Sequence, residues 1–251
     1  MKRNVVLSLT AAGLALLPVG SALAFETAQG VVATPITSVP FTISTSGNYF
    51  LASNLTSSAA AGAAITITAS QVVLDLNGRT LSNSVATNFA YGVFVFNQQD
   101  VTVQNGDVDG FYIGVFLSPN STDANVKNTV DNVKLNGNGV GVMSLSGQSN
   151  WVKHCIIDGG DIGVLFSQDS GSRAEDNVLE NQKASEEFGQ GIALMSVSSL
   201  GTVFDNNVVE KGSNVVGMEQ SGTDKYRFDS FVGFPANSPH VGGTNELADS
   251  L

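Results

Sequence analysis

Cysteine is almost missing from this chain: Cys155 is the only one in 251 residues. A lone thiol excludes an intramolecular disulfide, so a fold of this size must rely on packing or repetition for its stability. Charge is also scarce. Asp, Glu, Lys and Arg make up 13% of the sequence, against about a quarter in ordinary domains. Basic residues are the rarer sign, 11 against 22 acidic, and the net charge of −11 disfavours nucleic acid, anionic membrane surfaces and polyanionic substrates unless a cation intervenes. After the first two dozen residues no apolar run approaches the ~20 residues a membrane span needs, and no segment keeps a 3.6-residue period. What the chain has instead is turn chemistry, with 27 glycines and 22 asparagines, a composition suited to short strands joined at tight corners.

The first 24 residues read as a cleaved secretory signal, with Lys2 and Arg3 ahead of an apolar run that ends in Ala22-Leu23-Ala24. They predict a secreted or periplasmic protein whose net charge after cleavage is −13, with no membrane span. Residues 25–64 are expected to form an N-terminal leading or capping segment. Residues 65–218 should hold the body of the fold, and 219–251 a C-terminal tail or cap.

The body is a repeat. Six segments, LNGRTL (from Leu76), VQNGDV (Val103), VDNVKL (Val130), VKHCII (Val152), AEDNVL (Ala174) and FDNNVV (Phe204), all carry apolar residues at their first and sixth positions. Glycines followed by Val or Ile recur at Gly92, Gly114, Gly141, Gly163 and Gly191, in most coils 11 residues after a segment start. The unit is therefore about 22 residues in two halves. Extra residues fall near Asn83 to Ala90, Ser118 to Ala124, Gln182 to Gly189 and Ser196 to Gly201, and QKASEEF (Gln182 to Phe188) is a candidate helical turn. A propeller blade would need about 40 residues, and a leucine-rich repeat its own leucine signature. An all-β parallel solenoid, each coil stacking on the last, fits the period.

This pattern, with the leading stretch ITSVPFTISTSGNYFLASNL (Ile36 to Leu55) running into ITITASQVVLDLNGRTL, resembles the right-handed parallel β-helix repeat proteins of the pectin-lyase-like superfamily from about Ile36 to Met218. The resemblance implies a right-handed single-stranded parallel β-helix. It also implies a range of roles: polysaccharide lyases, hydrolases and epimerases, tail-spike proteins, and members with no known reaction. The sequence departs from the catalytic signatures of that superfamily, with no GHG, no paired Asp-Asp of the hydrolase type, no R-x-P-x-x-R and no DPH. No catalytic residue carries over. The expectation is an exported, non-catalytic binding or structural module with polysaccharide or cell-surface glycan as ligand class; the alternative is a polysaccharide-active enzyme.

Stacked coils turn repeat positions into columns about 4.8 Å apart. Cys155 falls in the column Arg79, Gly106, Val133, Cys155, Asn177, Asn207, read as a buried turn position where asparagines stack their amides and adopt the left-handed conformation. Asp131, Lys153, His154, Glu175 and Asp176 converge on one patch, either an acid–base or cation site or a solvated ion-pair ladder on a flat wall. Asp158, Glu180 and Glu210 follow one another in a carboxylate column, which solvent screens or Ca2+ bridges. Phe94, Phe116, Met143, Leu165 and Ala193 form an apolar column where a solvated face would be polar. It is a surface for sugar rings or a partner, unless the tail aromatics Tyr226, Phe228, Phe231 and Phe234 cover it.

Overall fold

The computed structural model describes residues 25–26, 32–85, 89–119, 125–184, 191–211, 216–220, 224–227, 229–234, 240–241 and 244–245. The leader at 1–24 lies outside them, as do parts of the loops at 86–88, 120–124 and 185–190 and the last four residues of QKASEEF. Among the described residues there are strands and turns but no helix.

Short β-branched strands alternate with residues that reverse the chain, and each coil therefore has three straight faces. In one coil these are Trp151–Lys153, Ile156–Asp158 and Ile162–Ser167. Every face pairs in parallel with the same face of the next coil. Trp151–Lys153 pairs with Arg173–Glu175, Ile156–Asp158 with Val178–Glu180, and Ile162–Ser167 with Ile192–Val197. The first and second faces belong to one 17-stranded sheet, because the strands Val101–Asp109 and Thr129–Asn136 run through the corner between them unbroken. The third face is a separate sheet of nine strands. Pairing crosses both expected segment boundaries: Val32–Ile36 already pairs with Gly47–Leu51, and the pairing runs on to Thr244–Asn245. The two-residue strand Phe25–Glu26 pairs antiparallel with the first of these.

The apolar first and sixth positions of all six segments are buried. The interior is one continuous cluster from Ile36 to Tyr226, so each coil depends on its neighbours for its core. Glycines on the third face make that closeness workable. A Cβ on Gly141 would stand 2.6 Å from the Gly163 carbonyl oxygen and 2.7 Å from Ile157 Cγ2, and Gly92, Gly114 and Gly163 meet equivalent obstacles.

Three details of the expected register are corrected. In the first coil Leu74, not Leu76, pairs with Val103, while Leu81 pairs with Val108 as expected. Two extra residues bulge the corner, and Leu76 fills the space opposite Gly106. On the third face Leu165 pairs with Met195 rather than standing beside Ala193. Ala193 occupies the glycine column instead, and Gly191 lies at the preceding corner against Gln182. The left-handed residues are one position before the Cys155 column: Asn105, Asn132, His154, Asp176 and Asn206 all have φ between 53° and 59°. Asn and Asp bear that conformation more readily than most residues.

The Cys155 column does stack its amides, inside the wall. The Cys155 N–H donates to Asn177 Oδ1 (2.9 Å), Asn177 Nδ2 to Asn207 Oδ1 (2.9 Å), and Asn207 Nδ2 to Asp229 Oδ1 (2.8 Å). A second buried ladder lines the corner between third and first faces. There the Asn128 N–H donates to Asn150 Oδ1, the Asn150 N–H to Ser172 Oγ, and the Thr202 N–H to Asp224 Oδ1. These side chains satisfy backbone groups that the corners would otherwise strand away from water.

Candidate functional site

The outer side of the third face is where a solvated sheet should be polar, and it is apolar. Phe94, Phe116, Met143, Leu165 and Met195 succeed one another in register across five coils. Phe94 and Phe116 stack with ring centroids 5.3 Å apart, and Tyr91 meets both, at 5.6 Å and 5.3 Å. Ile113, Val140, Ile162 and Leu165 are buried in a satellite cluster, with Tyr91, Tyr112, Phe116, Met143 and Met195 half-buried around them. Sequence reasoning missed Tyr91, Tyr112 and Met195. The signal was available, because Tyr91, Ile113, Val140 and Ile162 each stand immediately before a glycine of the repeat and pair in one column with Ile192.

Among the described residues the tail aromatics do not lie over this stripe. Tyr226 continues the interior column of Phe204, Phe231 pairs with Val209, and Phe231 and Phe234 pack against the main core. Phe228 is outside the described residues.

The charged patch lies on the 17-stranded sheet. His154 sits between two carboxylates, with Nδ1 2.8 Å from Asp131 Oδ1 and Nε2 3.8 Å from Asp176 Oδ2. Lys153 Nζ is 3.4 Å from Asp131 Oδ2 and 4.4 Å from the Trp151 ring centre. Glu175 turns to Arg173 (3.4 Å), Asp205 to Arg227 (2.7 Å), and Asp176 accepts from Asn206. Four of the five expected residues thus share one connected network, and Glu175 pairs along its own strand. The His154 side chain is 52% exposed, and pairs of this kind in solvent contribute little to stability. The surface beside it is not the flat wall expected. Along the left-handed turns runs a groove of about 270 Å³ lined by Gly78, Asn105, Gly106, Asp107, Asn132, Val133, Lys134, His154 and Ile156. Of the patch, only His154 reaches it.

Asp158 and Glu180 are in register on the second face, and Glu210 follows on the next rung. Asp158 accepts from Asn181 Nδ2 at 2.9 Å. Among the described residues no three His, Cys, Asp or Glu side chains converge as metal ligands. Cys155 is 1% exposed, its Sγ 3.2 Å from the Lys153 carbonyl oxygen, and burial pushes its thiol up to about 12. That environment suppresses the thiolate a reactive cysteine needs.

Three parallel faces, buried amide ladders at the corners and one unbroken core define a parallel β-solenoid. The family described as "Right handed beta helix region" matches residues 70–231, and the chain belongs to it. Two solved structures are similar to this chain. An alginate lyase from Paenibacillus sp. str. FPU-7 is 12% identical, with 84% of this chain and 88% of that one covered, at a TM-score of 0.49. The enzymatically active domain of tailspike protein 2 from bacteriophage CBA120 is also 12% identical, at a TM-score of 0.54. The match covers 86% of this chain but only 42% of the tailspike chain. At this identity the likeness is one of fold. No curated protein matches the chain by sequence.

Proposed function

We propose that this protein is an exported, non-catalytic β-helix module that binds glycan along the outer side of its third face. The observation that carries the reading is the stripe of Tyr91, Phe94, Phe116 and Met143, half-buried and continuous across coils. Aromatic rings offer flat apolar area to the C–H faces of sugar rings at small conformational cost. A binding role is favoured over turnover because cleaving a glycosidic bond needs an acid or base within hydrogen-bond reach of the bond. Among the described residues the stripe's own column carries no carboxylate, imidazole or amine before Glu219, which pairs with Met195 at its far end. The titratable network around His154 belongs to the other sheet. Export through residues 1–24 is part of the same reading.

A glycan array followed by calorimetric titration tests it, alongside turnover assays on a polyuronate panel with and without calcium. Phe116→Ala and Phe94→Ala should each weaken binding by about tenfold, the equivalent of one ring contact, at an unchanged fold. Affinity indifferent to both substitutions, or turnover of any polysaccharide, would replace this reading with another.

A further inference from the structure

We infer that the groove at the corner between the first and second faces is a second, independent binding site, built for a single neutral pyranose unit. The inference takes its ligand class from the glycan reading above, but its site shares no residue with the stripe.

The groove exists because of the turn. Left-handed residues at Asn105, Asn132 and His154 fold the sheet sharply in successive coils. Side chains of the turn column, Asn105, Asn132 and His154, and of the second face, Asp107, Lys134 and Ile156, then line a trough together with Gly78, Gly106 and Val133. Its volume, about 270 Å³, falls below the range of drug-sized pockets and suits a small ring.

Its lining has unspent hydrogen-bonding capacity. Asp107 and Lys134 are opposite each other across one rung. Cross-strand neighbours of opposite charge would ordinarily pair, yet among the described residues Lys134 makes no ion pair. Among the described residues the Asp107 carboxylate accepts only from Thr80 Oγ1, at a long 3.4 Å. Asn132 spends its Nδ2 on Asn105 Oδ1 (3.0 Å), and among the described residues no donor reaches its own Oδ1. One carboxylate, one ammonium and one carboxamide side chain thus line the same concave surface. That mixed set of acceptors and donors matches neighbouring sugar hydroxyls, which both donate and accept. Ile156, 43% exposed in a column otherwise filled by Thr80, Asp107 and Lys134 up to that rung, supplies an apolar patch for the ring's C–H face.

Charge selects the neutral ligand. Lys134 is offset by Asp107 within the groove, Asp131 and Asp176 flank His154 beside it, and the whole chain carries −11. A uronate would meet net repulsion on approach.

Saturation-transfer NMR on the full chain, titrated with neutral mono- and disaccharides and separately with oligouronates, tests the site. The variants are Lys134→Ala, Asp107→Asn and, for the stripe, Phe116→Ala. Lys134 is exposed and Asp107 partly so, and melting temperatures should stay at the parent value. The expected result is neutral-sugar binding that survives Phe116→Ala and weakens about tenfold in each groove variant, as loss of a charge-assisted hydrogen bond would give. Neutral-sugar binding abolished by Phe116→Ala alone overturns the groove site while leaving the stripe reading intact. Binding of oligouronate but not neutral sugar, lost in Lys134→Ala, overturns the ligand class. Absence of any sugar signal overturns both.

Discussion

Cys155 shows how little a residue's type says before its column is known. Beside Lys153 and His154 in sequence, it resembles part of a reactive cluster, but its side chain points into the wall while theirs point out. Ellman's reagent should label it only on the timescale of unfolding, and labelling within seconds in native buffer would contradict the burial. Cys155→Ser should fold, with a loss of about 1–2 kcal/mol for placing a hydroxyl in that site. Asp229 is the more consequential residue. It ends the amide ladder with a carboxyl where the coils before it use Asn177 and Asn207, and its Oδ2 is buried without a partner. Burial, reinforced by the negative charge of Asp205, raises its pKa from the ordinary 3.8 to about 6. The folded state therefore holds this proton more tightly than the unfolded chain. Stability from it is complete below about pH 4 and is lost as pH rises through about 6, by roughly 3 kcal/mol in the limit. Burial also raises the Asp169 carboxyl, which acts in the same direction. Asp229→Asn should flatten the fall in melting temperature between pH 4.5 and 7.5; an unchanged slope would assign that fall to other groups.

At the scale of one strand, the third face is governed by its glycine column. Gly141→Ala would press a methyl against the Gly163 carbonyl and Ile157, backbone and core together, and should cost about 1–3 kcal/mol in chemical denaturation. Ala193 occupies the same column naturally and is fully buried. Its partner on the next rung is Gly217, by the pairing of Ile192 with Val216. The column thus tolerates a methyl where the facing strand is suited to it. Ala193→Gly should accordingly bring no gain, and a stabilised Ala193→Gly protein would mean that the close approach is not what selects glycine.

At the scale of the whole molecule, the fold is one-dimensional: coils touch only their neighbours, and stability is close to a sum of coil and interface terms. The coil of residues 225–232 has the buried carboxyl of Asp229, while the coil of Val130 and Leu135 pairs with described coils on both sides. Amide hydrogen exchange at pH 7 should therefore open residues 225–232 well before 130–135, and Asp229→Asn should slow the first group and leave the second unchanged. Uniform exchange along the chain would show a cooperative unit larger than the coil. Among the described residues no helix is long and apolar enough to cross a membrane.

The sequence by itself determined the period, the parallel stacking and the buried positions. Apolar residues at the first and sixth places of a 22-residue repeat can be hidden together only if successive coils superimpose, and that is how Val130, Val152 and Ala174 lie. It also placed the apolar column from Phe94 to Leu165 and the neighbourhood of His154. Only the tertiary structure decided the exact rung wherever a corner changes length. A two-residue shift keeps a strand's alternation intact, so Leu76 for Leu74 and Ala193 for Met195 were indistinguishable by pattern. The groove was invisible for a related reason. It lies between the turn column Asn105, Asn132 and His154 and the second-face column Asp107, Lys134 and Ile156, and it depends on left-handed turns one residue before the column in which the asparagines stack.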